Sequence, residues 1–242
     1  MRRLAGYLGA TLALLALWWL ASLALRTPAL PAPPAALASF VAELPALIPQ
    51  AGTSLARIVM AMALGTGLAL PLGLMIGRSR SLDALATPLL YLLYPIPKVV
   101  FLPVLLVLFG LGNAPKIILI GLVIFFQTLI TARDAARNIA PEYLRVARSL
   151  GATKTQVARH VVVPATLPEV FTALRINAGT AIAILFLAES IAGASGLGYY
   201  IVEAWGMLNY AAMFAGIIAM ALLGVVLYEA LTLAERALIR WK

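Results

Sequence analysis

The stretch from Leu4 to Leu25 carries no charged residue, and a bilayer is crossed by about 20 such residues in a helix. Mostly apolar runs recur at Ser54–Ile76, Leu82–Phe109, Lys116–Thr131, Glu169–Ala192 and Tyr210–Leu233. Across 242 residues, 63% are hydrophobic and 11% charged, where a soluble domain has about 25% charged. The mean hydropathy of +1.01 therefore reflects the whole chain and not one anchor on a soluble body. These observations predict an all-α integral membrane protein with six transmembrane helices and no separate soluble catalytic domain.

Several chemistries are excluded by composition. With no cysteine and a single histidine, His160, the chain offers no disulfide, no thiolate metal site and no cysteine nucleophile, and a zinc site is not expected. No GxxxxGK[ST] phosphate-binding loop is present, so ATP is not expected to be hydrolysed by this chain. No span carries a Ser/His or paired-Asp constellation for an intramembrane protease. The reading is a non-enzyme without a metal or cofactor of its own.

The first run is too long for a signal-peptide core of about 7–15 residues and reads as a first span. A proline-dense connector follows, with Pro28, Pro31, Pro33, Pro34, Pro45 and Pro49; it predicts a loop and a short interfacial helix, not a long one. Residues 1–50 thus form one span and its connector, and residues 51–242 a five-helix core. Gly73 and Gly77 give span two a GxxxG pair, which permits close helix contact. The run from Leu82 to Phe109 is interrupted by Pro95-Ile-Pro97, which predicts a kink or break in span three.

Residues 133–168 form the only long polar stretch, with Arg133, Arg137, Arg145, Arg148, Lys154 and Arg159. Placing both termini and this stretch on one side gathers 13 of the 18 basic residues there, Arg2, Arg3, Arg78, Arg80, Arg236, Arg240 and Lys242 among them. The positive-inside rule then predicts cytoplasmic termini and a cytoplasmic loop in a multi-pass protein. It also accounts for the net charge of +9 without nucleic acid.

Within the loop, Glu142 to Leu150 suits a helix with Tyr143, Val146, Ala147 and Leu150 on one face and Arg145, Arg148 and Ser149 on the other. Gly151 permits a sharp reorientation, Thr153 caps a second short helix, and Pro164 is expected to stop it, with Pro168 opening span five. Two short helices joined at a glycine make a compact knob suited to docking on a partner.

This segment resembles the "EAA" loop of ATP-binding-cassette importer permeases: EAA, three residues, Gly, nine residues, Ile-x-Leu-Pro. Ala147, Gly151, Val161, Val163 and Pro164 fall in that register, and Arg145 and Val146 depart from it. Ser54-Leu-Ala-Arg57, Tyr94-Pro-Ile-Pro97, Phe109-Gly-Leu-Gly112 with Lys116, Ala188-Glu189 and Gly196-Leu-Gly198 are similar to the nitrate/sulfonate/taurine/bicarbonate branch. The resemblance implies a type I (MetI-like) permease fold in a bacterial cytoplasmic (inner) membrane. Its implied partners are a second permease copy, two cytoplasmic ATPases that bind ATP and Mg, and a periplasmic or lipid-anchored binding protein. It further implies that Glu142, Arg145, Val146, Ala147, Leu150, Gly151, Ala152, Val161, Val163 and Pro164 form the ATPase-docking and coupling surface.

Charge inside a span is costly and marks candidate sites. Lys98, after Pro95 and Pro97, reads either as a cation lining the pathway or as an ammonium satisfied by a carboxylate or by carbonyls freed at the break. Arg175 reads as packing, or an ion pair with the loop, against a pathway role. Glu189 reads as shaping an outer gate or holding the Gly-rich turn, and Arg57 as an interfacial anchor. Three cations against one carboxylate lean toward an anionic solute, with a neutral vitamin precursor as the alternative. A self-contained secondary transporter or channel is the competing class; several intramembrane carboxylates and internal repeats would mark it, and neither is evident.

Overall fold

The computed structural model describes residues 2–241, and among these the only regular secondary structure is helix, without strands. The side chains of Arg2 and Arg3, and residue Lys242, used above to orient the chain, lie outside the described residues. The chain forms two compact units. One comprises Met1–Ser54 and Glu189–Leu223, the other Leu55–Ala188 and Gly224–Lys242.

In the first unit, α1 (Arg2–Leu25) is followed by α2 (Pro33–Ala42), whose prolines sit at the first helical positions where a missing N–H costs nothing. Trp18 Nε1 donates to the Pro31 carbonyl at 3.0 Å and its ring stacks on Phe214. The next helix, α3 (Leu44–Arg78), begins ten residues before the Ser54 start expected from the proline-dense connector. Pro45 falls in its first turn, where proline is tolerated, and Pro49 sits in the second turn without ending the helix.

Along α3, Gly65, Ala69, Gly73 and Gly77 recur every four residues and so share one face. That face meets α6 (Asn113–Arg137) within the second unit. A Cβ on Gly65 would stand 2.7 Å from the Gly121 carbonyl oxygen, and one on Gly73 2.7 Å from that of Leu129. On Gly77 it would run into the Arg133 carbonyl. The two backbones approach as closely as small-residue packing in membranes allows. Around this contact Ile58, Ala61, Ile120, Ile124, Ala181 and Leu185 form the main apolar core.

After α3, Ser79 Oγ accepts the Leu82 N–H and caps α4 (Arg80–Leu93). The proline pair then breaks the chain as expected: a 3-10 turn, Lys98–Phe101, leads into α5 (Leu102–Phe109), at 78° to α4.

The polar loop folds into α7 (Pro141–Ser149) and α8 (Lys154–Val157). Pro164 does not stop the second helix. A π-turn at Ala158–Val162 runs directly into α9 (Val163–Ala192), so helix is continuous from Lys154 to Ala192. The wider turn accommodates the proline's missing donor. A short helix absent from the sequence reading, α10 (Leu197–Gly206), precedes α11 (Tyr210–Leu238).

Among the described residues, four helical runs are long and apolar enough to cross a membrane: α3, α6, Lys154–Ala192 and α11. The bent α4–α5 pair makes a fifth, and Thr11–Leu25 is a shorter apolar helix.

Candidate functional site: a helical knob and a broken span

Leu144 anchors the knob, buried with Ala136, Val157 and Val162. The pattern of α7 hid this residue because it lies between the two faces assigned from sequence. The face carrying Tyr143, Val146 and Leu150 is left exposed, with Leu150 81% accessible. Gly151 turns the chain at φ +80°, and the Ala152 N–H closes the helix end on the Ala147 carbonyl at 3.1 Å. Thr153 and Gln156 then form a reciprocal capping box: Thr153 Oγ1 accepts the Gln156 N–H, and Gln156 Oε1 accepts the Thr153 N–H. A notch of about 280 Å³ opens beside the exposed face, lined by Ala147, Leu150, Gly151, Ala152, His160 and Val161, among others. Five of the ten predicted coupling residues thus meet at one notch. Glu142 and Arg145 lie on α7 as an exposed ion pair at 2.6 Å, and Val163 and Pro164 open α9.

At the broken span, the last carbonyls of α4 have no helical partner, and in a membrane no water replaces it. Lys98 Nζ donates to the carbonyls of Leu93 (2.6 Å), Tyr94 (2.9 Å) and Ile96 (2.9 Å), which accounts for the ammonium's three hydrogens. It also stands 4.6 Å from the centroid of the Phe126 ring. Lys116 Nζ does the same at the next turn, donating to Leu111 and Gly112 at 3.0 Å each. A cavity of about 480 Å³ beside the break is lined by Pro95, Pro97 and Lys98 together with Tyr94, Phe126 and Gln127. Gln127 Oε1 is buried and without a hydrogen-bond partner among the described residues.

Lys98→Met is expected to destabilise the chain by about 2 kcal/mol, since the Tyr94 and Ile96 carbonyls lose their donor at roughly 1 kcal/mol each, while the Leu93 carbonyl keeps the Ile96 N–H. The check is the unfolding temperature of the purified chain beside its uptake rate. Lost uptake with an unchanged unfolding temperature would mean that the ammonium serves the solute and not the backbone.

The other intramembrane charges have protein partners. Arg57 is buried, not interfacial, and its Nε donates to Asn113 Oδ1 at 2.8 Å. Arg175 pairs with Glu235 on α11, not with the polar loop, and also donates to Thr172 Oγ1 at 3.1 Å. A network missed from sequence, centred on the buried Arg133, joins α4 to α6. Arg133 donates to Asp83 Oδ1 (2.5 Å) and Thr87 Oγ1 (2.6 Å), and Arg137 to Asp83 Oδ2 (3.1 Å). An arginine ending an apolar run and an aspartate opening the helix before it were the available signal.

Glu189 has no solvent-accessible surface. Its carboxylate accepts the Ser54 hydroxyl and the Gly198 N–H, each at 2.9 Å. Ser54 Oγ in turn accepts the Leu197 N–H, and Gln50 Oε1 accepts that of Gly196. The donors opening α10 are thereby tied to α3 and to the end of α9. At Gly196, φ is +104° and a Cβ would run into the Glu189 carboxylate, so both the turn and the close approach require glycine. Nearby, burial pushes the Tyr200 phenol well above its ordinary range, keeping it neutral.

The family model described as the binding-protein-dependent transport system inner membrane component matches residues 69–240. The taurine transport system permease protein TauC of Escherichia coli K12 is 31% identical over 243 residues, covering 97% of this chain and 88% of the relative. The aliphatic sulfonates transport permease protein SsuC of Bacillus subtilis is 32% identical over 189 residues, covering 78% of this chain and 68% of the relative. Among solved structures, the inward-facing MetNI methionine ABC transporter aligns with a TM-score of 0.65 at 20% identity, covering 80% of this chain and 94% of that one. That likeness concerns the fold alone. An all-helical chain with apolar spans, an EAA-register knob and a match over most of its length is a permease subunit, and this chain belongs to the binding-protein-dependent transport system inner membrane component family of ABC transporters.

Proposed function

We propose that two copies of this chain form a pathway for a small anionic solute across a bacterial cytoplasmic membrane, driven by two ATPases docked on the α7–α8 knobs. ATP and Mg belong to those ATPases, and a periplasmic or lipid-anchored binding protein delivers the solute. The observation that carries the coupling role is the exposed apolar face of Tyr143, Val146 and Leu150 beside the Gly151 notch. An apolar face left open on a polar loop suits a partner groove. In this reading α1 is the sixth span, residues 51–242 are the permease core, and both termini are cytoplasmic.

Closure of the ATPases moves the knob and, with it, the packed helices α3, α4, α6 and α9, alternating the side to which the pathway opens. The cavity at Pro95, Pro97 and Lys98, with the unpartnered Gln127 Oε1, is the pathway wall we favour. Lys98, Arg57 and Arg175 are engaged by protein groups, so counting cations no longer supports an anionic solute. The support is the similarity to taurine and sulfonate permeases. Glu189 is read as holding the Gly-rich turn, and Arg175 as bracing α9 on α11.

The test is a mild detergent purification from native membranes followed by reconstitution. The expected result is a stoichiometric ABC ATPase and ATP-driven uptake of taurine or a short alkanesulfonate. Active transport by the chain alone, with no ATPase present, would overturn the coupling role. Uptake of a neutral vitamin precursor in place of sulfonates would overturn the solute assignment only.

A further inference from the structure

Arg78 at the end of α3, Arg80 opening α4, Arg137 ending α6, and Arg145 and Arg148 on α7 converge with Asp83 on a cavity of about 550 Å³. Five guanidinium groups face one carboxylate, and Asp83 is already shared with the buried Arg133. Three of the five are engaged: Arg78 Nη1 donates to the Ala136 carbonyl (3.1 Å), Arg137 Nη1 to Asp83 Oδ2 (3.1 Å) and Arg145 Nη2 to Glu142 Oε1 (2.6 Å). Arg80 and Arg148 are exposed and have no hydrogen-bond or ion-pair partner among the described residues. Arg78 and Arg148 also line an adjoining cavity of about 630 Å³ that includes Lys154. A concave site with one sign of charge concentrates counter-ions, and the guanidinium fork matches phosphate oxygens bidentately.

The surroundings indicate where the phosphate comes from. Leu82, Leu85 and Leu89 are exposed, share one face of α4 at helical spacing, and begin half a turn beyond Arg80. Cations at a span end beside an outward apolar face suit an amphiphile with an acidic head. On α7, Leu144 and Arg148 face the cavity while Tyr143, Val146 and Leu150 lie on the opposite side of the helix, so a partner on the apolar face leaves the cavity open. We propose that this arginine pocket binds the phosphate of an acidic phospholipid headgroup, with the acyl chains lying along α4. The site does not depend on which solute is carried.

The experiment is native mass spectrometry of the purified full-length chain, with any subunits that accompany it, after exposure to equimolar phosphatidylglycerol and phosphatidylcholine. Selective retention of phosphatidylglycerol is expected, reduced about ten-fold in R80Q/R148Q by loss of two solvent-exposed charge contacts and unchanged in R236Q/R240Q, which removes the same charge elsewhere. Should the double variant not accumulate, R148Q on exposed α7 carries the same test. Equal retention of both lipids, or equal loss in R236Q/R240Q, would overturn the proposal. Inorganic phosphate occupying the pocket while phosphatidylglycerol is not retained would overturn the lipid as its source.

Discussion

Gly151→Val is expected to lower ATP-driven uptake about ten-fold while the chain still inserts into the membrane. No atom lies within 4 Å of where a Cβ at this position would stand, so crowding is not the cause. The cause is the backbone: φ is +80°, a region that costs an L-residue roughly 1–2 kcal/mol and is worse for a β-branched one. A penalty of about 1.4 kcal/mol is a factor of ten in the population of the docking geometry. The knob would escape it by unwinding the Ala152–Ala147 hydrogen bond, displacing the notch from the apolar face of α7. Gly151→Asn, which tolerates this region better, should restore much of the uptake. Proteoliposome uptake and ATPase co-purification, measured on the same membranes, separate lost docking from lost insertion. Uptake by the valine variant at the parent rate would remove Gly151 from the coupling surface.

Glu189→Ala is expected to destabilise the chain by about 3–6 kcal/mol, two charge-assisted hydrogen bonds being worth roughly 1.5–3 kcal/mol each. Its loss strands the Gly198 N–H and the Ser54 hydroxyl in a place with no accessible surface. Glu189→Gln keeps the volume and one acceptor, and should cost on the order of 1 kcal/mol. Thermal unfolding of the purified variants is the measurement, with Ser54→Ala as a companion that removes the acceptor of the Leu197 N–H. An alanine variant that unfolds at the parent temperature but does not transport would assign the carboxylate to gating instead.

The knob and the broken span were legible because their signals are local. A glycine where the chain must take positive φ, a Thr with Gln three residues on, and a proline pair inside an apolar run each fix backbone geometry within a few residues. What stayed hidden depends on partners distant in sequence. Arg133 and Asp83 lie on different helices, and Lys98 could be read as pathway or as satisfied by carbonyls until the positions of Leu93, Tyr94 and Ile96 were known. The Pro164 and Pro49 expectations failed for one reason: proline was treated as an absolute stop. A π-turn accommodates Pro164, and at Pro49 one missing donor does not end a long apolar helix. The exposed Tyr143 face needed the burial of Leu144 to orient α7, which periodicity over nine residues does not decide.

The π-turn at Ala158–Val162, followed by Pro164 and Pro168, concentrates the missing hydrogen bonds of a long helix within about three turns. Elastic strain collects where a rod is most compliant, so bending stress on this helix is stored there and not spread along its length. Residues 169–192 of α9 beyond it form a stiff arm of about 36 Å. A swing of ~10° at the joint would carry the far end of that arm by roughly 6 Å, about one helical turn. A small displacement at the knob is therefore geared up to the size of a molecule, with no need for the span itself to deform.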